Sequence, residues 1–167
     1  MTLAGVHHKT GTDNWGTPDL FFRRLDERFN FGLDSCAEAW NAKCDRYYSE
    51  KTNGLLQPWE SWTWCNPPYS KILYWYAKAS MEASKGNSSV LLTFARTDTK
   101  AFHKYAMLAS EIIFIKGRLK FVNPETRMEA QSAPAPSMVV IFDSGNIGKA
   151  TFSTMAASLK NPQSHIG

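Results

Sequence analysis

Apolar residues begin to recur at helical spacing once the chain passes Trp15. Leu20, Phe21, Leu25 and Phe29 predict a first helix that starts behind Thr17 as its cap, takes Pro18 in its first turn and runs to about Arg28. Phe31 to Cys36 alternates apolar with small or polar residues, the pattern of a short strand ending at Asp34 or just beyond. From Ala37 to Gln57 the chain is polar and aromatic without either period and predicts mostly loop. Trp62-Thr63-Trp64-Cys65 predicts a buried strand, stopped by Asn66-Pro67-Pro68-Tyr69 because proline cannot donate to a ladder.

Ser70 then offers a cap for a second helix, with Ile72, Leu73, Trp75, Tyr76, Ala79 and Met81 as its apolar face and Gly86 past its end. Val90 to Phe94 predicts another buried strand, and Arg96 to Thr99 a polar loop before a third helix on Phe102, Tyr105, Ala106 and Leu108. Ile112 to Ile115 predicts a strand. A proline-rich loop leads to Ser137, and Met138 to Phe142 closes the pattern as the last predicted strand.

Strands alternating with helices, each apolar enough to be covered on both faces, predict a three-layer α/β/α Rossmann-like fold on a largely parallel sheet. Ligands in such sheets sit beyond the carboxyl ends of the strands, where this chain carries Asp34, Asn66 to Tyr69 and Arg96 to Asp98. The expected organisation is a flexible arm over 1–14, one domain over 15–145 and a tail of uncertain structure over 146–167. Trp40, Trp59, Trp62 and Trp75 read as core residues, and His7 and His8 as surface.

Composition narrows this picture only slightly. The chain has 167 residues, 43% hydrophobic and 20% charged, which suits one self-sufficient globular domain. A net charge of +4 and a pI near 9.0 favour a polyanionic partner. Cys36, Cys44 and Cys65 are odd in number and form no C-x-x-C pair, so neither a disulfide framework nor a zinc site is expected, and a reducing cytoplasm fits. No signal peptide or membrane-spanning stretch is legible.

The chemistry concentrates in Asn66-Pro67-Pro68-Tyr69, which resembles the catalytic loop of methyltransferases acting on exocyclic amino groups. An adenine amine has its lone pair delocalised into the ring and attacks poorly until its nitrogen becomes tetrahedral. The Asn66 side-chain oxygen and the Pro67 carbonyl could each accept one amine hydrogen and stabilise the developing positive charge, with Pro68 stiffening the turn. Tyr69 would stack on a base extruded from the duplex, a contact worth ~1–3 kcal/mol. No metal is required.

Five segments carry a wider resemblance: Trp15-Gly16-Thr17-Pro18, Leu33-Asp34-Ser35-Cys36-Ala37, Trp64 to Ser70, Arg96-Thr97-Asp98-Thr99 and Gly117-Arg118-Leu119-Lys120-Phe121. With them in order, the chain is similar to the small Dam-type DNA N-6-adenine methyltransferases of bacteriophages and prophages. The resemblance implies a reduced methyltransferase sheet, S-adenosylmethionine as cofactor, DNA as partner, a monomer or weak dimer, and a bacterial host cytoplasm. It implies that Thr17 and Pro18 contact the methionine end of the cofactor and that Asp34 answers its ammonium, with Trp15, Cys36, Ala37 and Asn66 completing the set.

Arg96, Thr97, Lys116, Arg118 and Lys120, at or beyond strand ends on the side of the catalytic loop, are the expected DNA contacts. The loop after the first strand departs from the methyltransferase pattern, since Asp34 to Glu38 contains no glycine. The stretch from Ala37 to Trp62 is also too short for two full strand-helix units. Two other readings stand beside this one: amino-group methylation of RNA or of protein glutamine, and a DNA-binding relative without catalysis.

Overall fold

The computed structural model describes residues 14–159, so His7, His8 and nearly all of the predicted arm lie outside the described residues. The first helix, α1, spans Asp19–Phe29 and buries Phe21, Phe22, Leu25 and Phe29, while Leu20 is 74% exposed. Phe22 replaces Leu20 on the inward stripe because it falls beside Leu25 and Phe29 on the helical turn. Pro18 stands just before the helix, not within its first turn, and no side chain caps it. The expected Thr17 cap is therefore absent; that hydroxyl is engaged elsewhere, as described below.

Strand β1 is Leu33–Asp34, ending where the alternation predicts, and β2 is Thr63–Cys65. The segment between them is a loop, as its lack of periodicity predicts, but an ordered one. Asp34 N–H donates to the Arg46 carbonyl, Tyr48 N–H to the Asp34 carbonyl and Ala37 N–H to the Tyr48 carbonyl, so the loop is stitched to the open edge of β1. Backbone pairing of this kind leaves no period in the sequence.

After a single 3-10 turn at Tyr69–Lys71, α2 runs over Ile72–Ser84. The 3-10 turn places Ser70 ahead of the α-helix, so it is not the cap. The inward face of α2 is centred on Trp75, Tyr76, Ala79 and Ala83, which leaves Leu73 and Met81 exposed and carries Lys78 and Glu82 inside as an ion pair at 2.7 Å. Helical rotation, not apolar character, decided those four positions. Gly86 follows with φ +94°, a left-handed value that suits the missing side chain.

Strand β3 is Ser89–Phe94, and Thr99 caps the short α3, Lys100–Lys104, by accepting from Phe102 N–H. The third helix is thus shorter than its apolar spacing predicts: Ala106–Leu108 forms a separate 3-10 turn and Leu108 is half exposed. Strands β4, Glu111–Lys116, and β5, Ser137–Phe142, follow. The expectation that β5 is the last strand is corrected by β6, Thr151–Ala156, which pairs with β4. Its Thr-Phe-Ser-Thr text is polar because β6 is an exposed edge, and a polar strand gives little sign of itself.

The six strands form one sheet in the order β1-β2-β3-β5-β4-β6. Every strand but β5 runs in the same direction, since β5 is antiparallel to both its neighbours. Leu25, Phe22 and Phe29 of α1 pack with Trp64, Val90, Leu92 and Ile141 on one face, and Trp75, Tyr76 and Phe102 with Leu91, Val140 and Phe142 on the other. The three-layer expectation holds. Parallel directions bring the carboxyl ends of β1 to β4, and the start of β5, to one rim of the sheet.

Candidate active site

At that rim a cavity of about 690 Å³ opens between the end of β2, the end of β3 and the segment 130–134 that leads into β5, within the range of small-ligand sites. Its wall is largely aromatic, with Trp15, Tyr69, Phe94 and Phe121, and carries the polar groups of Asn66, Thr93 and Arg96. The Tyr69 ring lies 5.1 Å from that of Phe94, and the Arg96 guanidinium sits 5.5 Å from the Tyr69 centroid. Burial pushes the Tyr69 hydroxyl above its ordinary pKa, so the ring meets the cavity as a neutral aromatic surface.

Asn66 is held from behind. Its amide nitrogen donates to the Trp15 carbonyl at 2.8 Å and to the Thr17 hydroxyl at 3.0 Å. A carbonyl can only accept, so the nitrogen must be the atom facing Trp15, and the amide oxygen is the atom not spent on this hold. Pro67 is buried and also lines the cavity, whereas Pro68 is not part of that lining. Asn66, Pro67 and Tyr69 are therefore brought together at one opening.

The residue pair Trp15 and Thr17 flanks Gly16, which exchanges two backbone hydrogen bonds with Val122, at 2.9 and 2.8 Å. Val122 belongs to a hairpin between β4 and β5 whose legs join through Ala130 N–H to the Phe121 carbonyl and Ala133 N–H to the Leu119 carbonyl. Phe121 and residues 130–134 of this hairpin form one wall of the cavity. At its tip the Arg127 guanidinium covers Trp40 at 4.0 Å, so Trp40 braces the hairpin and is only partly buried, unlike Trp59 and Trp75 in the core.

Asp34 lies one strand away from Asn66 but in a different setting. It is 2% exposed, and its two oxygens accept from Cys36 N–H at 3.2 Å and Lys43 N–H at 3.0 Å. Burial raises its pKa to about 7 against the pull of those two bonds. It does not line the cavity. Ala37 is buried beside it, and the half-buried Cys36 thiol is pushed up to about 12, chiefly by burial, and stays protonated.

Glycine is missing from the loop after β1, but Gly54 arrives from further along the chain. A Cβ there would collide with the Ser35 carbonyl oxygen, and its own carbonyl accepts from Trp59 Nε1 at 2.9 Å. This close approach presses the 37–57 loop onto the end of β1. Asn53-Gly54 was the only local sign of it in the sequence.

Among the expected DNA contacts, Lys116, Arg118 and Lys120 are exposed around the buried Leu119, and Arg118 also donates to the Ala133 carbonyl at 3.2 Å, bracing the hairpin. Arg96 and Thr97 are exposed at the end of β3. All five stand on the rim that holds the cavity. The sequence missed the Trp15-to-Thr17 hold on Asn66 and the aromatic walls Phe94 and Phe121, for which strand-end position was the only signal. Among the described residues no group of three or more His, Cys, Asp or Glu could hold a metal ion, and no helix is long and apolar enough to cross a membrane.

An aromatic wall beside hydrogen-bond acceptors suits a flat base and the cationic sulfur of a methyl donor, and Trp15 and Asn66 offer both at one place. The profile of the family described as DNA N-6-adenine-methyltransferase (Dam) matches residues 6–163. The DNA N-6-adenine-methyltransferase of Escherichia phage T1 is 29% identical over 148 residues, covering 78% of this chain and 62% of the relative. The protein YfdM of Escherichia coli (strain K12), whose name marks its methyltransferase assignment as provisional, is 35% identical over 65 residues, 34% of this chain and 71% of its own length.

Proposed function

Because this chain belongs to the DNA N-6-adenine-methyltransferase (Dam) family, we propose that it transfers a methyl group from S-adenosylmethionine to the N6 amine of adenine in DNA. The chain spans only 62% of the phage relative's length. The observation that carries the proposal is the pinned amide of Asn66 at the mouth of an aromatic cavity. The cofactor, when bound, supplies an electrophilic methyl on a positively charged sulfur.

Everything else is positioning. A base turned out of the duplex stacks against the aromatic lining of the cavity, Tyr69 included, which replaces part of its lost stacking. The Asn66 oxygen and the Pro67 carbonyl accept the two amine hydrogens, so the nitrogen lone pair is freed from the ring and aimed at the methyl. These two acceptors would hold the amine for the methyl that the cofactor supplies, and the proton the amine gives up in exchange would leave to solvent. Arg96, Thr97, Lys116, Arg118 and Lys120 carry the phosphate backbone past the opening.

For the cofactor, Trp15 and Asn66 meet the methyl end, Thr17 and Pro18 shape the segment behind it, and Asp34, Cys36 and Ala37 build the adjoining strand end. Labelled-methyl transfer from S-adenosylmethionine, offered duplex DNA, RNA and whole proteome in parallel, tests the proposal. Label is expected on N6 of adenine in DNA. Label confined to RNA or protein overturns the substrate, and absence of any heat of cofactor binding overturns catalysis.

A further inference from the structure

Among the described residues Thr17 is the one side chain in the hold on Asn66, and its placement is unusual for a threonine before a helix. Its hydroxyl could have capped α1; α1 has no side-chain cap. The residue is instead 2% exposed, with its Oγ1 3.0 Å from the Asn66 amide nitrogen. Rotation about the last torsion of an asparagine is soft and broad, so a single hydrogen bond to the Trp15 carbonyl would leave the amide free to rock. A second acceptor on a β-branched side chain with few rotamers stops that motion.

We propose that Thr17 is a positioning residue for methyl transfer: with the Trp15 carbonyl it takes both hydrogens of the Asn66 amide and so aims the amide oxygen at the substrate. The proposal rests on the methyltransferase reading above and adds a role that differs from direct cofactor contact. The same three residues also reach the substrate wall. Gly16, between the two acceptors, pairs in both directions with Val122, and a Cβ on it would stand 3.1 Å from the Val122 Cβ and 3.2 Å from the Trp40 ring. One short strap therefore ties the catalytic amide to the hairpin that covers the cavity.

The strap also accounts for asparagine at position 66. An aspartate would turn an oxygen toward the Trp15 carbonyl, two acceptors face to face, unless its carboxyl were protonated and could donate.

Kinetics on the full chain, with an adenine-containing duplex and S-adenosylmethionine, test this together with cofactor affinity by calorimetry. Thr17→Val, equal in shape but without the hydroxyl, is expected to lower kcat by about ten- to a hundredfold while cofactor Kd stays within about twofold. Thr17→Ser is expected to restore most of kcat. Asn66→Asp is expected to be slow at neutral pH and to gain activity, relative to the unsubstituted chain, as pH falls and the carboxyl becomes a donor.

Wild-type kcat in Thr17→Val overturns the proposal, as does a weakened cofactor Kd with kcat intact at saturation, the mark of a direct cofactor contact. Should Thr17→Val fail to fold, an Asn66→Asp profile parallel to that of the unsubstituted chain overturns it instead. An unsubstituted chain that methylates no adenine at all sinks the proposed function, a distinct outcome.

Discussion

Two polar side chains end neighbouring parallel strands, Asp34 on β1 and Asn66 just past β2, and they have opposite fates. Asp34 is sealed under the 37–57 loop, with one oxygen given to the Cys36 N–H just before that loop and the other to the Lys43 N–H within it. Among the described residues Asn66 is gripped only by its nitrogen, from behind, and it stands in the wall of the cavity. Topology put both at the rim; the segment lying over each strand end decided which partners each side chain meets. A carboxyl beneath a loop is tied into it, whereas an amide beneath a three-residue strap is held, among the described residues, by its nitrogen alone.

The contrast predicts that changes at Asn66 are felt in turnover and changes around Asp34 in stability. Asn66→Ala carries the largest expected effect: kcat falls by about 100- to 1,000-fold with the circular dichroism spectrum unchanged, and turnover near the original value would place the chemistry elsewhere. Gly54→Ala comes next. Its methyl group must push the loop off the Ser35 carbonyl, so denaturant unfolding is expected to show a loss of ~1–3 kcal/mol, and an unchanged midpoint would mean that the loop is not pressed there.

Asp34→Asn is expected to be the smallest, about 1–2 kcal/mol, because one of two backbone N–H groups then meets an amide N–H. Its pH signature is sharper than its size. The Asp34 pKa is raised from 3.8 to about 7 in the folded chain, so the folded state binds this proton more tightly than the unfolded one. This contribution to stability is fully present below pH 3.8 and is lost as pH rises through about 7. Unfolding measured between pH 4 and pH 8 should therefore show a decline in the unsubstituted chain that flattens in Asp34→Asn; equal slopes would contradict the burial of this carboxyl.

Much of the fold was legible where burial is two-sided. Val90 to Phe94, Ile112 to Ile115 and Met138 to Phe142 are apolar but for Thr93 and became β3, β4 and β5 with shifts of a residue or so at their ends. The polar edge β6 was illegible, because a strand covered by little needs few apolar residues. Helix faces were legible only in part: Leu20, Leu73 and Met81 are apolar yet point outward, and Lys78 and Glu82 are charged yet lie inside as a pair. A long apolar residue tolerates exposure, so composition alone does not tell which of several helical stripes is turned inward.

By itself the sequence determined that strands and helices alternate, that proline stops β2 at Asn66, and that an asparagine, a proline carbonyl and a tyrosine stand together after a buried strand. These are local properties, written in periodicity and in the chemistry of proline. Only the tertiary structure decided that Trp15 and Thr17, some fifty residues upstream, would grip that asparagine, that Gly16 would pair with Val122, and that Asp34 would be closed over. Those contacts depend on which parts of the chain meet at one rim of the sheet, and no local pattern records the meeting of segments so far apart.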